Sequence, residues 1–162
     1  MRRDDGGVTG RMDSVVPGDS PQRAQGALRH AEMDLTVDEI NERTGEIIDA
    51  AMKVHTFLGP GLLESSYELC LAHEIRLRGL GVSTQYPIRL DYEDLRVDVA
   101  YRADMLVDNA IIVELKAVEK VAPIHEAQLL SYLRLTGFRV GLLINFHELK
   151  LKDGIRRRVH NL

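Results

Sequence analysis

Residues 110–116 read AIIVELK, and this short segment decides the interpretation of the chain. Strand alternation places its odd-numbered residues, which are all apolar, on one face. The other face carries Ile112, Glu114 and Lys116, so an acid and a base stand next to each other. The segment is therefore predicted to be a strand with a core face and a charged face.

The preceding segment, 101–107, reads YRADMLV and supplies the partner strand across a turn. If the turn had two residues, charged side chains would fall on both faces of the pair. A three-residue loop over 108–110 pairs Val107 with Ile111 and leaves one face entirely apolar. We therefore predict the three-residue loop.

This register brings two carboxylates together, because Asp104 then lies across from Glu114, and Arg102 lies across from Lys116. Opposed carboxylates destabilise a sheet by roughly several tenths of a kcal/mol, so a compensating group is expected. A divalent cation would compensate, and Lys116 beside it would stabilise an attacking hydroxide or a developing negative charge. The alternative is a solvated face on which Lys116 pairs with one acid, as exposed charges commonly do.

The rest of the chain predicts helices around a mixed sheet, which is an α/β or α+β fold. Helices are predicted over 36–58, 62–78 and 124–136, strands over 82–92, 95–107, 110–116 and 138–146, and a small hairpin over 149–159 that turns at Asp153-Gly154. The first helix begins with a capping box at Thr36 and Glu39 and ends at Gly59-Pro60-Gly61.

Length and composition predict one folded domain, since 162 residues fall within the range of roughly 100 to 200 per domain. Residues 1–32 contain five Gly, two Pro and no aromatic residue, and are predicted to form a disordered tail before a single domain over 33–162. No apolar run is long enough for a transmembrane helix or a secretory signal, which predicts a cytoplasmic protein without a membrane partner. The single cysteine, Cys70, excludes an internal disulfide and a cysteine zinc site.

The net charge of −4 does not favour nonspecific binding to nucleic acid, which depends on neutralising phosphates with Lys and Arg. The charge is unevenly distributed, because 34–147 hold 11 basic and 18 acidic residues, whereas 148–162 hold five basic and two acidic residues. A local basic strip near the C-terminus therefore remains open.

Three motifs together resemble a known nuclease superfamily. Asp104 followed by Glu114-Leu115-Lys116 resembles the Asp...Glu-x-Lys core of the PD-(D/E)XK nuclease superfamily, with Ala103 where that pattern has proline. Gln128 and Tyr132 on the next helix are similar to the Gln-x-x-x-Tyr motif of its RecB-like branch. Residues 61–67, GLLESSY, match the signature of the GxxExxY protein family, which is placed in that superfamily, and the likeness extends over about 40–146.

The resemblance implies a PD-(D/E)XK nuclease-like α/β fold, a mixed central sheet flanked by helices, and a metal-dependent phosphodiesterase acting on DNA or RNA. It assigns three carboxylates to Mg²⁺ or Mn²⁺: Glu64, Asp104 and Glu114. Lys116 would assist the water nucleophile, while Gln128 and Tyr132 would orient the site or contact substrate phosphate. From the residues alone, Glu64 could equally be a first-turn glutamate favoured by the helix dipole, Gln128 a surface amide and Tyr132 an amphipathic rim residue.

Two other functions stay open at this point: a noncatalytic nucleic-acid- or protein-binding module with the same fold, and a small-molecule phosphoesterase. A protein partner or a homodimer is also open. His55 lies at apolar helical spacing and is predicted to be a partly buried core histidine, while His125 is not expected to be a ligand. Glu68 and Glu74 are expected at the surface.

Overall fold

The computed structural model describes residues 35–162, so the predicted tail over 1–32 lies outside the described residues. The described part contains three helices, five strands and a short 3-10 turn. They are α1 (Val37–Leu58), α2 (Glu64–Leu77), β1 (Val82–Tyr92), β2 (Leu95–Val107), β3 (Ile111–Lys116), α3 (Pro123–Thr136), β4 (Val140–Asn145), the turn Leu151–Gly154 and β5 (Ile155–Val159). No helix among residues 35–162 has the length and apolar character needed to cross a membrane.

The five strands form one sheet in the order β1-β2-β3-β4-β5. Strands β3 and β4 are parallel, because α3 carries the chain back between them, and the other neighbours are antiparallel. The sheet is therefore mixed and flanked by helices, which confirms the predicted α/β fold class.

Each face of the sheet has its own apolar core. On one face α1 and α2 pack against the sheet, with a core that includes Ile47, Ala51, Leu71, Ile75, Met105, Val113, Leu115 and Leu142. On the other face α3 packs against residues that include Ile88, Ala103, Leu106, Ile112 and Leu143. Since Ile112 contacts the α3 side, the alternation of β3 also points Glu114 toward α3.

The predicted register between β2 and β3 is confirmed, because Val107 pairs with Ile111 and Met105 pairs with Val113. The loop 108–110 contains Asp108 and Asn109 with positive φ, a conformation that Asp and Asn tolerate better than other side chains. The charged residues Asp104 and Glu114 are therefore kept off the face that packs against α1 and α2.

The ladder between β2 and β3 ends at Met105–Val113, so the expected cross-strand pairings of Asp104 with Glu114 and of Arg102 with Lys116 are both wrong. Beyond that point the Asp104 side chain replaces a backbone acceptor of the ladder, because its Oδ2 accepts a hydrogen bond of 2.7 Å from the Leu115 N–H. Ala103 packs in the α3-side core rather than on the α1 side. A side chain thus satisfies the backbone donor where the two strands diverge.

The predicted hairpin over 149–159 is also wrong. Residues Leu151–Gly154 form a 3-10 turn, and Ile155–Val159 pairs with β4, from Ile144–Ile155 to Val140–Val159. Leu151 is buried in the α1-side core, which holds this segment against the helices and leaves the following residues to cover the open edge of β4.

Candidate active site

The charged face of β3 is enclosed by the protein. Glu114 is 3% exposed, and the Lys116 side chain is also largely buried. The Lys116 Nζ lies 3.8 Å from Glu114 Oε2, and this long separation makes the ion pair between them weak. The interpretation of these residues as a solvated face is therefore wrong.

Asp104 and Glu114 form a close carboxylate pair on the α3 side of the sheet. Burial, together with the hydrogen bond and the charge of the adjacent Asp104 carboxylate, raises the pKa of Glu114 to about 9, while Lys116 opposes the shift. Glu114 Oε1 is buried and has no hydrogen-bond partner among residues 35–162. Because two carboxylates can share a hydrogen bond only when one is protonated, the pair retains a proton near neutral pH when nothing else neutralises it.

Glu64 reaches the same site from the first turn of α2. Its carboxylate accepts a hydrogen bond from the Ala117 N–H, directly after Lys116, and it is half-buried. Burial raises its pKa, the nearby Lys116 lowers it, and Asp104 raises it. These interactions bring the three predicted carboxylates and the lysine together at the C-terminal end of β3.

Tyr67, the last residue of the GLLESSY motif, is fully buried and braces the loop before Glu64. Its hydroxyl donates to the Gly59 carbonyl at 2.6 Å and accepts from the Leu62 N–H at 3.1 Å. Its ring stacks on Phe146 with the centroids 4.4 Å apart. The tyrosine therefore fixes the position at which α2 begins, and with it the position of Glu64.

Gln128 and Tyr132 contact each other on α3 above the carboxylate pair. The Gln128 amide donates to the Tyr132 hydroxyl at 2.6 Å. Tyr132 is only 2% exposed, and burial, with smaller effects from Glu114 and Asp104, raises its pKa to about 12. The interpretation of Tyr132 as a rim residue is therefore wrong, because it forms the buried wall of the site.

Asn145 lies beside the site, although it belongs to none of the three sequence motifs. Its carboxamide accepts from the Val118 N–H at 3.1 Å and donates to the Val118 carbonyl at 2.8 Å, and it pairs with Lys116 in the parallel ladder. The bonds fix the chain directly after Lys116. A lone amide in the apolar run 140–146 was the signal that could have revealed it.

Three other predictions concern residues outside this site. Glu74 was expected at the surface, but it is buried. Two bases compensate its charge there: Lys53 Nζ lies 2.8 Å from its carboxylate and Arg78 Nε lies 3.6 Å from it. His55 is partly buried, as expected, and its Nε2 lies 2.8 Å from the Glu148 carbonyl. His125 Nδ1 accepts from the Ala122 N–H at the start of α3, which gives it a capping role.

The donor chemistry of the site fits a hard divalent cation in part. Carboxylate oxygens are preferred by Mg²⁺ and Mn²⁺, and Glu114 Oε1 is a buried acceptor without a partner among the described residues. Within residues 35–162, however, no group of three or more His, Cys, Asp or Glu side chains is arranged to hold a metal ion. Asp104 and Glu114 are thus the fitting pair, and Glu64 is a neighbouring carboxylate held by a backbone amide.

Comparison with known proteins gives one result. The family model of the PD-(D/E)XK nuclease superfamily matches residues 41–158, which include every site residue described above. Neither a curated protein nor a solved structure was found that matches the chain.

Proposed function

Because this chain belongs to the PD-(D/E)XK nuclease superfamily, we propose that it is a metal-dependent phosphodiesterase that cleaves DNA or RNA. The buried Asp104–Glu114 pair carries the proposal. A carboxyl with its pKa raised to about 9 beside a second acid is costly to fold, and such costs are concentrated at functional sites.

Mg²⁺ or Mn²⁺ would be held by Asp104 and Glu114, with Glu64 as a third carboxylate. When bound, the cation supplies Lewis-acid polarisation and a water of lowered pKa. Lys116, 3.8 Å from Glu114, contributes a fixed positive charge where negative charge develops on the phosphate. Gln128 and Tyr132 keep the α3 side of the pair dry, which strengthens these electrostatic interactions.

Finer membership in the GxxExxY family is part of the same proposal. Each named letter of the signature has a role in the fold that supports it: Gly61 has a φ of 104°, Glu64 points into the site, and Tyr67 braces the loop. The contact between Gln128 and Tyr132 supports the RecB-like branch in the same way.

The test is cleavage of labelled single- and double-stranded DNA and RNA in Mn²⁺ and in Mg²⁺. We expect wild type to cleave at least one substrate, Glu114→Gln and Lys116→Ala to lose cleavage, and Glu74→Gln to retain it. Glu74→Gln is the matched control, since it also replaces a buried glutamate. Equal cleavage by Glu114→Gln and wild type would contradict the proposed site.

A noncatalytic binding module is the second candidate. The absence of a ready three-ligand group among residues 35–162 favours it. Binding of nucleic acid without cleavage in any of the metal conditions would support this candidate over the enzyme.

A further inference from the structure

Tyr101 lies beside the site and has no role in the assignments above. Its ring centroid is 5.4 Å from that of Tyr132, and the two rings are tilted by 53°. Tyr132 is 2% exposed, whereas Tyr101 is 41% exposed. Of these two rings, Tyr101 is therefore the one that a ligand can reach.

The position of Tyr101 on β2 places it on the substrate side of the carboxylates. Its partner across the β1–β2 ladder, Ile88, packs in the α3-side core, so Tyr101 is on the face that α3 and Glu114 share. Asp104 follows three residues later on the same strand, a span of about 10 Å. A group that stacks on Tyr101 would thus be close to a phosphate held at the carboxylate pair.

The charge of the chain indicates what that group is. Residues 35–162 hold 16 basic and 19 acidic residues, so neutralising the phosphates of a duplex offers little affinity. Stacking on an aromatic ring is an alternative source of affinity, but it requires a base that is not enclosed in a duplex. An exposed tyrosine that contacts Tyr132, roughly 10 Å along its strand from Asp104, in an acidic protein therefore favours an unpaired base.

We propose that Tyr101 is a base-stacking residue and that the substrate is single-stranded nucleic acid. This inference rests on the proposed function and adds the substrate class to it. DNA and RNA share the stacking chemistry, so the experiment uses both.

The test measures binding of short fluorescent oligonucleotides by anisotropy, with the full chain carrying Lys116→Ala so that the probe stays intact. In that background Tyr101→Leu keeps an apolar cover over Tyr132 but removes the aromatic face, and Tyr101→Phe keeps the face. Tyr92→Ala is the control, because Tyr92 is 65% exposed on β1. We expect Tyr101→Leu to weaken single-strand binding roughly 5- to 150-fold, while the other two variants stay close to the parent.

Each outcome decides between the inference and the function on which it rests. Equal binding by Tyr101→Leu and the parent, or an equal loss in Tyr101→Phe, overturns stacking, and the enzyme stands if wild type cleaves. Stacking stands without the enzyme if binding depends on the ring but wild type cleaves nothing. Tighter binding of duplex than of single strands overturns the substrate class, and so does the absence of any single-strand binding.

Discussion

Two buried glutamates, Glu74 on α2 and Glu114 on β3, have opposite surroundings. They are 8% and 3% exposed. Lys53 donates to Glu74 at 2.8 Å, and this hydrogen bond, aided by Lys53 and Arg78 charges, lowers its pKa. Burial and Asp104 raise the pKa of Glu114 to about 9, and its nearest base is 3.8 Å away.

Burial of a carboxylate does not by itself indicate a functional site, whereas the charges of its neighbours do. A carboxylate that serves only the fold is paired with bases, since an unpaired buried charge destabilises a protein strongly. A second acid beside Glu114 makes its ionisation more costly instead. We therefore treat Glu74 as structural and Glu114 as functional, and the following predictions test this contrast.

The largest expected effect is on catalysis. Glu114→Gln and Lys116→Ala should each lower the rate of phosphodiester cleavage by about 100-fold or more, the size found when a group that stabilises transition-state charge is removed. Glu74→Gln should stay close to wild type, because Glu74 contacts Lys53 and Arg78 rather than the site. Single-turnover rates at saturating Mn²⁺ would measure both, and comparable losses in the two glutamate variants would break the contrast.

The next effect is on stabilisation by metal. At a Mn²⁺ concentration 100 times the Kd, wild type should gain about 2.7 kcal/mol of unfolding free energy from binding. Glu74→Gln should gain as much, whereas Glu114→Gln should gain clearly less, because it lacks one carboxylate of the pair. Denaturant titrations with Mn²⁺ and with chelator would measure these gains, and identical responses of wild type and Glu114→Gln would rule out Glu114 as a ligand.

In the presence of a chelator, the two glutamates should also contribute to the free energy of unfolding with opposite dependences on pH. Glu114 binds its proton more tightly when folded, so its contribution is present below pH 4.5 and is lost toward pH 9, by at most about 1.4 kcal/mol per pH unit. Glu74, with its lowered pKa, contributes above pH 4.5 and loses its contribution as the pH falls through its folded value.

Unfolding free energies from pH 3 to pH 9.5 would check these signs. Glu114→Gln should flatten the alkaline decline, and Glu74→Gln should flatten the acidic one. The assigned sign would be wrong if the unfolding free energy of wild type rose between pH 5 and pH 9 and Glu114→Gln removed that rise.

The smallest effect is on stability at neutral pH without metal. Glu114→Gln should leave the melting temperature unchanged or raise it, because the carboxyl is already protonated and its neighbour is an acid. Glu74→Gln should lower it by a few degrees, because Lys53 and Arg78 lose their shared partner. Calorimetry of both proteins in chelator would decide, and a large loss in Glu114→Gln would show that this carboxylate stabilises the fold.

Local sequence patterns were enough to identify β3 as the strand of the candidate site and to set its register with β2. Only one loop length kept the face opposite Asp104 and Glu114 apolar, and Val107 pairs with Ile111 as this argument requires. The α/β fold class and the helix boundaries near Thr36 and Gly137 followed from similarly local patterns. Strand alternation and helix capping involve residues within a few positions of each other, so they can be recognised before any tertiary contact is known.

Which buried charges are paired with bases became visible only in the folded protein. The strand register already placed Asp104 near Glu114, but the pairing of Glu74 with Lys53 joins two different helices, and no local pattern in the sequence indicates it. The contact between Tyr101 and Tyr132 likewise joins a strand to a helix that comes later in the chain. The pKa of a carboxyl depends on its solvation and on charges within a few ångströms, and distant segments supply both only after they pack together.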